Sequence, residues 1–175
     1  MRLHTVAPVP FSVAFAALLS GASALAQAAW PAAPVPPALT HAKNLFVSNA
    51  GADAGLFPQT FSGDQSRGYN ELYGTLEQSG KYLLVGDPSQ ADLVLELRLE
   101  APPGRNVATV KAGNLADPLP QFRLVVYDAK THYVLWALTS EIEFAYSRKN
   151  HDRNFDQSLS NLLHAFEQMS GKATP

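Results

Sequence analysis

Hydrophobic and polar positions alternate through ADLVLELRLE, with Leu93, Leu95, Leu97 and Leu99 on one side and Val94, Glu96, Arg98 and Glu100 on the other. A period of two marks a strand buried on one face and wet on the other, the habit of antiparallel sheets covered on a single side. Two further strand-like runs, FRLVVYD and HYVLWALTSEIEF, flank a polar turn from Asp128 to His132 and read as a hairpin. In its second strand Val134, Trp136, Leu138, Ile142 and Phe144 share one face, which leaves Tyr133, Leu135, Ala137 and Thr139 on the other. His132 stands where such turns often carry Gly, and His is enriched among the non-glycine residues that tolerate a positive φ. Hairpins of this kind also build propeller blades, but a propeller needs several four-stranded blades, and this motif occurs once.

The period changes to that of a helix in two places. Tyr69, Leu72, Tyr73 and Leu76 fall at i, i+3, i+4 and i+7 within DQSRGYNELYGTLEQSG, one apolar stripe. Ser62 with Gln65, or Asp64 alone, offers an N-cap, and Gly80 sits where a C-terminal cap belongs. Two interior glycines, Gly68 and Gly74, cost the helix about 1 kcal/mol each relative to Ala, which is understandable where a helix packs closely on a sheet. Nearer the C-terminus Phe155, Leu159, Leu162, Leu163, Phe166 and Met169 make the longest stripe in the chain, with Asn150 or Asp152 as its cap and Gly171 as its end. Short strands complete the set at KNLFVSN and at KYLLVGDP, the latter stopped where Asp87 and Pro88 favour a single helical turn. Residues 101–120, with four prolines and two glycines, read as a long connection that includes a short strand at NVATV. The order strand, helix, strand, strand, strand, strand, helix predicts an α+β two-layer sandwich, a mainly antiparallel sheet of about five strands with two helices on one face.

The first 26 residues follow a different logic. Arg2, an apolar stretch from Phe11 to Leu19 and the A-x-A sequence Ala24-Leu25-Ala26 make a signal peptide, too short in its apolar part for a span of about 20 residues. Residues 27–42, rich in Ala and Pro, read as a semi-extended spacer, 43–171 as one domain and 172–175 as a disordered tail. The expected setting is periplasmic or secreted. There is no cysteine, hence no lipid anchor on a lipobox thiol, no disulfide and no thiolate chemistry. The formal charge is −2 and the signal carries only Arg2. Without a basic block, nucleic acid and anionic membrane surfaces are poor partners.

Two places invite chemistry. The loop at 49–64 joins a strand to a helix start, where free N–H groups can hold an anion; Asn49, Gly51, Asp53, Gly55, Asp64 and Arg67 are its candidate ligand-binding residues. It matches no phosphate-loop or dinucleotide fingerprint, and Leu56, Phe57 and Phe61 within it also read as a flap under the helix. His151, Asp152 and Asp156 form a candidate metal cluster, since residues four apart share a helix face; acidic groups also belong in a helix's first turn on electrostatic grounds. No G-x-S-x-G elbow occurs, and Glu141 with Glu143 reads as a solvated strand face.

The segments ADLVLELRLEAP and FRLVVYDAKTHYVLWALTSEIE, followed by the closing helix, resemble a group of secreted bacterial proteins over residues 43–170. Over 90–140 the chain is similar to a domain-of-unknown-function family of envelope lipoproteins. The shared features are the Ala91-Asp92 strand start and the D-x-K-T…W hairpin of Asp128, Lys130, Thr131 and Trp136. The resemblance implies an envelope setting and this hairpin, and carries no cofactor or activity. The expected function is an exported, non-enzymatic binding domain whose partner is an envelope protein or a second copy, reached through the apolar hairpin face or a strand edge. The alternative is a small-ligand- or metal-binding protein, or a hydrolase, using the 49–64 loop or the His151 cluster. No cofactor is expected.

Overall fold

The computed structural model describes residues 33–101 and 119–172, and its elements all belong to the unit Pro34–Pro175. A five-stranded sheet of β1 (Asn44–Ala52), β2 (Leu83–Leu84), β3 (Leu93–Glu100), β4 (Gln121–Asp128) and β5 (Val134–Glu141) runs in the order β2-β1-β3-β4-β5. β3, β4 and β5 pair antiparallel, through Leu93↔Asp128 and Gln121↔Glu141 among others, while β1 lies parallel to both β2 and β3. The parallel pairs arise because α2 (Arg67–Ser79) carries the chain back over the sheet between β1 and β2. Together with α3 (Arg148–Met169) on the same face, this is the α+β architecture that the periodicities predict, and a short third helix, α1 (Pro37–His41), joins it.

The core lies between sheet and helices. Leu93, Leu95, Leu97 and Leu99 of β3, Leu72 and Leu76 of α2, and Phe155, Leu159, Leu162, Leu163 and Phe166 of α3 belong to one buried cluster. Gly68 sits so close to β4 that a Cβ there would lie 2.9 Å from the Phe122 ring, whereas one on Gly74 would meet nothing within 4 Å. Only the first of these glycines serves helix–sheet approach.

Several local expectations hold. His132 has φ 60°, with Asp128 accepting the Lys130 and Thr131 N–H groups in the turn. Gly80 ends α2 at φ 62°, and Asp87 caps the Pro88–Gln90 turn through the Ser89 N–H. Gly171 ends α3 in a paired motif: its N–H reaches Gln168 O at 3.1 Å and that of Lys172 reaches Glu167 O at 2.8 Å.

Others need correction. The N-cap of α3 is Ser147, whose hydroxyl accepts the Asn150 N–H, because the helix begins earlier than Asn150 or Asp152. α2 has Ser66 at its N-cap without a side-chain bond; Asp64 accepts the Ser66 N–H at 2.7 Å just ahead of it. The Ala/Pro-rich stretch is not spacer to its end, since Leu39 and Ala42 are buried in the core. Lys172 is not tail, because its ammonium donates to the Ala42 carbonyl at 2.6 Å and lies 3.9 Å over the Tyr82 ring. In β5 a bulge pairs Tyr127 with Val134 but Val126 with Trp136, so Leu135 packs against the core and Val134 is 56% exposed. The strand expected at NVATV lies outside the described residues.

Candidate functional site

The loop from β1 to α2 is fixed at its start by Asp53. Its N–H donates to Leu99 O at 3.0 Å, and its carboxylate accepts the Arg98 guanidinium at 2.6 Å and the Ala101 N–H at 2.9 Å. Gly51, Gly55 and Gly63 all turn with positive φ. Between them the chain folds back on itself, with the Thr60 and Phe61 N–H groups both donating to Leu56 O. Apolar side chains drive this: Leu56 and Phe61 are buried, and Phe57 and Phe61 stack around Phe155 of α3 at 6.1 and 5.2 Å between centroids. The flap reading of this loop is the one its side chains follow.

The six candidate ligand residues do not converge. Asn49 accepts the Gly51 N–H at 2.9 Å and faces the Ser66 hydroxyl at 3.4 Å. Asp53 and Asp64 are engaged with backbone as above. Arg67 is the centre of an ionic network that sequence spacing divided between two sites. Its guanidinium donates to Glu71 at 2.7 Å, to Asp152 at 2.6 Å, to the Ser62 carbonyl at 3.2 Å and to Asp156, and lies 4.2 Å over the Phe155 ring. Asp152 accepts, in addition, the Ser62 N–H at 2.9 Å and hydroxyl at 2.7 Å. Burial pushes the Asp152 carboxyl up, but the two Ser62 bonds and the Arg67 charge outweigh it and hold the group below its ordinary value.

This arrangement corrects the metal reading. Asp152 and Asp156 do share a helix face, but that face is turned to Arg67, which takes their lone pairs. His151 points elsewhere, its ring edge-on to Phe61 and Phe144 at 6.1 and 5.5 Å. Among the described residues no three His, Asp or Glu side chains stand close enough to hold a metal.

His151 instead lines a cleft. Its walls are Leu56, Phe61, Ile142 and Phe144, with Ala54, Gly55 and Thr60 from the loop, Ala101 and Pro120 from the strand ends, and Glu143 at the rim. The open space is about 550 Å³ including the mouth, but only about 60 Å³ is free at its interior. That is well below the roughly 300–1,000 Å³ of sites for drug-sized ligands and suits a single small apolar group. Burial pushes the His151 pKa below its ordinary value, against the opposing effects of the Asp152 charge and a bond with the Ala145 backbone. Among the described residues no side-chain hydrogen bond joins it to a hydroxyl or carboxylate, the pairing that activates a nucleophile.

Of the candidate ligand and metal residues proposed from sequence, Gly55 and His151 reach this cleft. Ile142, Phe144 and Thr60 were missed as site residues, although the alternation of Ile142, Glu143 and Phe144 past the strand end was visible. A larger groove of about 430 Å³ runs between α2 and α3 over Leu72, Leu159 and Leu163, open along Gly74. Its floor leucines are already buried in the core.

No family model matches the chain, and no curated protein does. Among solved structures it is similar to a PelC dodecamer from Paraburkholderia phytofirmans, with 17% identity over 75% of this chain and 89% of that one and a TM-score of 0.48. A DUF330 protein from Xanthomonas campestris matches at 11% identity over 75% and 86%, TM-score 0.44. The C-terminal domain of LpoB from Salmonella enterica matches at 15% identity over 58% and 82%, TM-score 0.37.

Proposed function

We propose that this chain is an exported, non-enzymatic binding domain whose site is the cleft between the 54–61 loop and the segment 142–144. The observation that carries this is the composition of the cleft: four large apolar walls with the His151 ring and Glu143 beside them, and space for one apolar group. Burying a group of that size contributes about 1.5–3 kcal/mol, enough for selectivity within a larger contact and too little for tight binding alone. The signal-like N-terminus with its A-x-A sequence supports export to an envelope or extracellular setting, and no described helix is long and apolar enough to cross a membrane.

The test is thermal unfolding with a panel of small apolar amides and carboxylates, with divalent metals and with EDTA. Stabilisation follows RT ln(1 + L/Kd), with L the free probe concentration, so a weakly bound probe brought to about ten times its Kd raises stability by about 1.4 kcal/mol. The expected result is a rise with apolar probes that Ala54→Phe abolishes by filling the exposed mouth. A rise with metals reversed by EDTA, or apolar binding indifferent to Ala54→Phe, removes this reading.

A further inference from the structure

Three aromatic rings stand at the cleft. Phe61 and Phe144 each lie edge-to-face with His151, at interplanar angles of 85° and 84°, and all three residues line the space. Tyr146 backs Phe144 at 5.2 Å between centroids. The free interior of about 60 Å³ is several times the roughly 10–15 Å³ that admits one water, and holds about four or five heavy atoms. A group of that size is compact, not a chain. The charge beside it has one sign. Glu143 brings a carboxylate that makes no ion pair among the described residues, and no described Lys or Arg lines the space. Arg148 touches the loop from outside this lining, donating to the Pro58 carbonyl at 2.8 Å. Hydrogen-bonding side chains are scarce: besides Glu143 and His151, only Thr60 brings one.

We propose that the cleft binds a trimethylammonium head, the cationic end of a choline-like compound, held by the rings of Phe61, Phe144 and His151 and by the Glu143 carboxylate. This rests on the cleft reading above and names its ligand class. Aromatic rings attract a cation through their quadrupole, and cages of such rings are the known means of recognising methylated ammonium groups. Such a head, one nitrogen with its four carbons, matches the room in the interior. Other occupants match the walls less well. An anionic group meets the Glu143 charge, and a neutral apolar group leaves that charge unused. A primary ammonium brings three N–H donors to a space with few acceptors, and a donor buried without a partner is penalised. A fully methylated nitrogen has no N–H to satisfy.

The experiment titrates choline and its neutral isostere dimethylbutanol, in which carbon replaces the charged nitrogen, into the whole exported protein and follows their methyl proton resonances. The expected result is an upfield ring-current shift of the choline methyls and tighter binding of choline than of the isostere. Phe144→Leu keeps an apolar wall and removes the ring; it is expected to weaken choline relative to the isostere about fivefold, the order of one cation–π contact. Glu143 is exposed, so Glu143→Gln leaves the fold intact, and it is expected to weaken choline about two- to fivefold with the isostere unchanged. Sedimentation with phosphatidylcholine vesicles separates the sources: free choline bound without sedimentation assigns a soluble ligand, and sedimentation that free choline reverses assigns a lipid head. Absence of choline binding overturns the proposal. Equal affinity for choline and the isostere, both abolished by Ala54→Phe, also overturns it and leaves the cleft reading standing. Binding of both that is indifferent to Ala54→Phe sinks the cleft reading itself.

Discussion

Two glycines six positions apart in one helix have opposite roles. Gly68 lets α2 lie against the buried ring of Phe122, where an added Cβ would stand 2.9 Å from Cε1. Gly68→Ala gains about 1 kcal/mol of helix propensity and loses about 1–3 kcal/mol to overpacking, so the expected net effect is destabilisation. Gly74 faces open space, and Gly74→Ala is expected to stabilise by about 0.5–1 kcal/mol. Urea denaturation of the two variants in parallel checks both signs. Helical spacing presents the two glycines alike; the ring across from one of them makes the difference.

Between elements, the network around Arg67 ties α2 to α3 and to the loop that precedes α2. Asp152 is its best-satisfied member, with Ser62 donating twice and Arg67 once. Its folded pKa is lowered, so the unfolded chain binds its proton more readily. The stabilisation is then fully present above the ordinary carboxylate value of 3.8 and is lost as pH falls through the folded value. Asp152→Asn is expected to be less stable at neutral pH by about 1.5–3 kcal/mol, the usual worth of a hydrogen bond to a charged group, with the gap to the unsubstituted protein closing in acid. Denaturant midpoints measured from neutral pH to below 3.8 test this; a gap constant with pH would assign the loss to shape alone. The pair of Arg67 and Glu71 is local, four positions apart within α2. The bonds from Arg67 to Asp152 and Asp156 were not legible in the sequence, because they join residues more than 80 positions apart.

For the whole molecule, the start of the fold lies inside the Ala/Pro-rich stretch. Leu39 is fully buried among the core residues, and Lys172 reaches back to the Ala42 carbonyl, so the two ends of the domain hold each other. Leu39→Ala is expected to cost about 2–5 kcal/mol, the range for a buried leucine, and removing residues before Lys43 at least as much. Thermal unfolding of both variants measures this; an unchanged melting temperature would mean that α1 is an appendage.

What the sequence by itself determined is the local part. The leucine alternation of β3, the stripes of α2 and α3, the positive φ at His132 and the glycine ends of both long helices follow from periodicity and backbone sterics, which act over a few residues. Those signals were enough for the α+β class and for one core between sheet and helices. Tertiary structure alone decided the strand order, the parallel placement of β1 and the bulge that turns Leu135 inward, because each depends on pairings between distant segments. It also decided the site. Nothing local in His151, Asp152 and Asp156 says that an arginine from another helix claims both carboxylates while the imidazole turns to an apolar cleft; that division is set by which charges and which rings packing brings within reach.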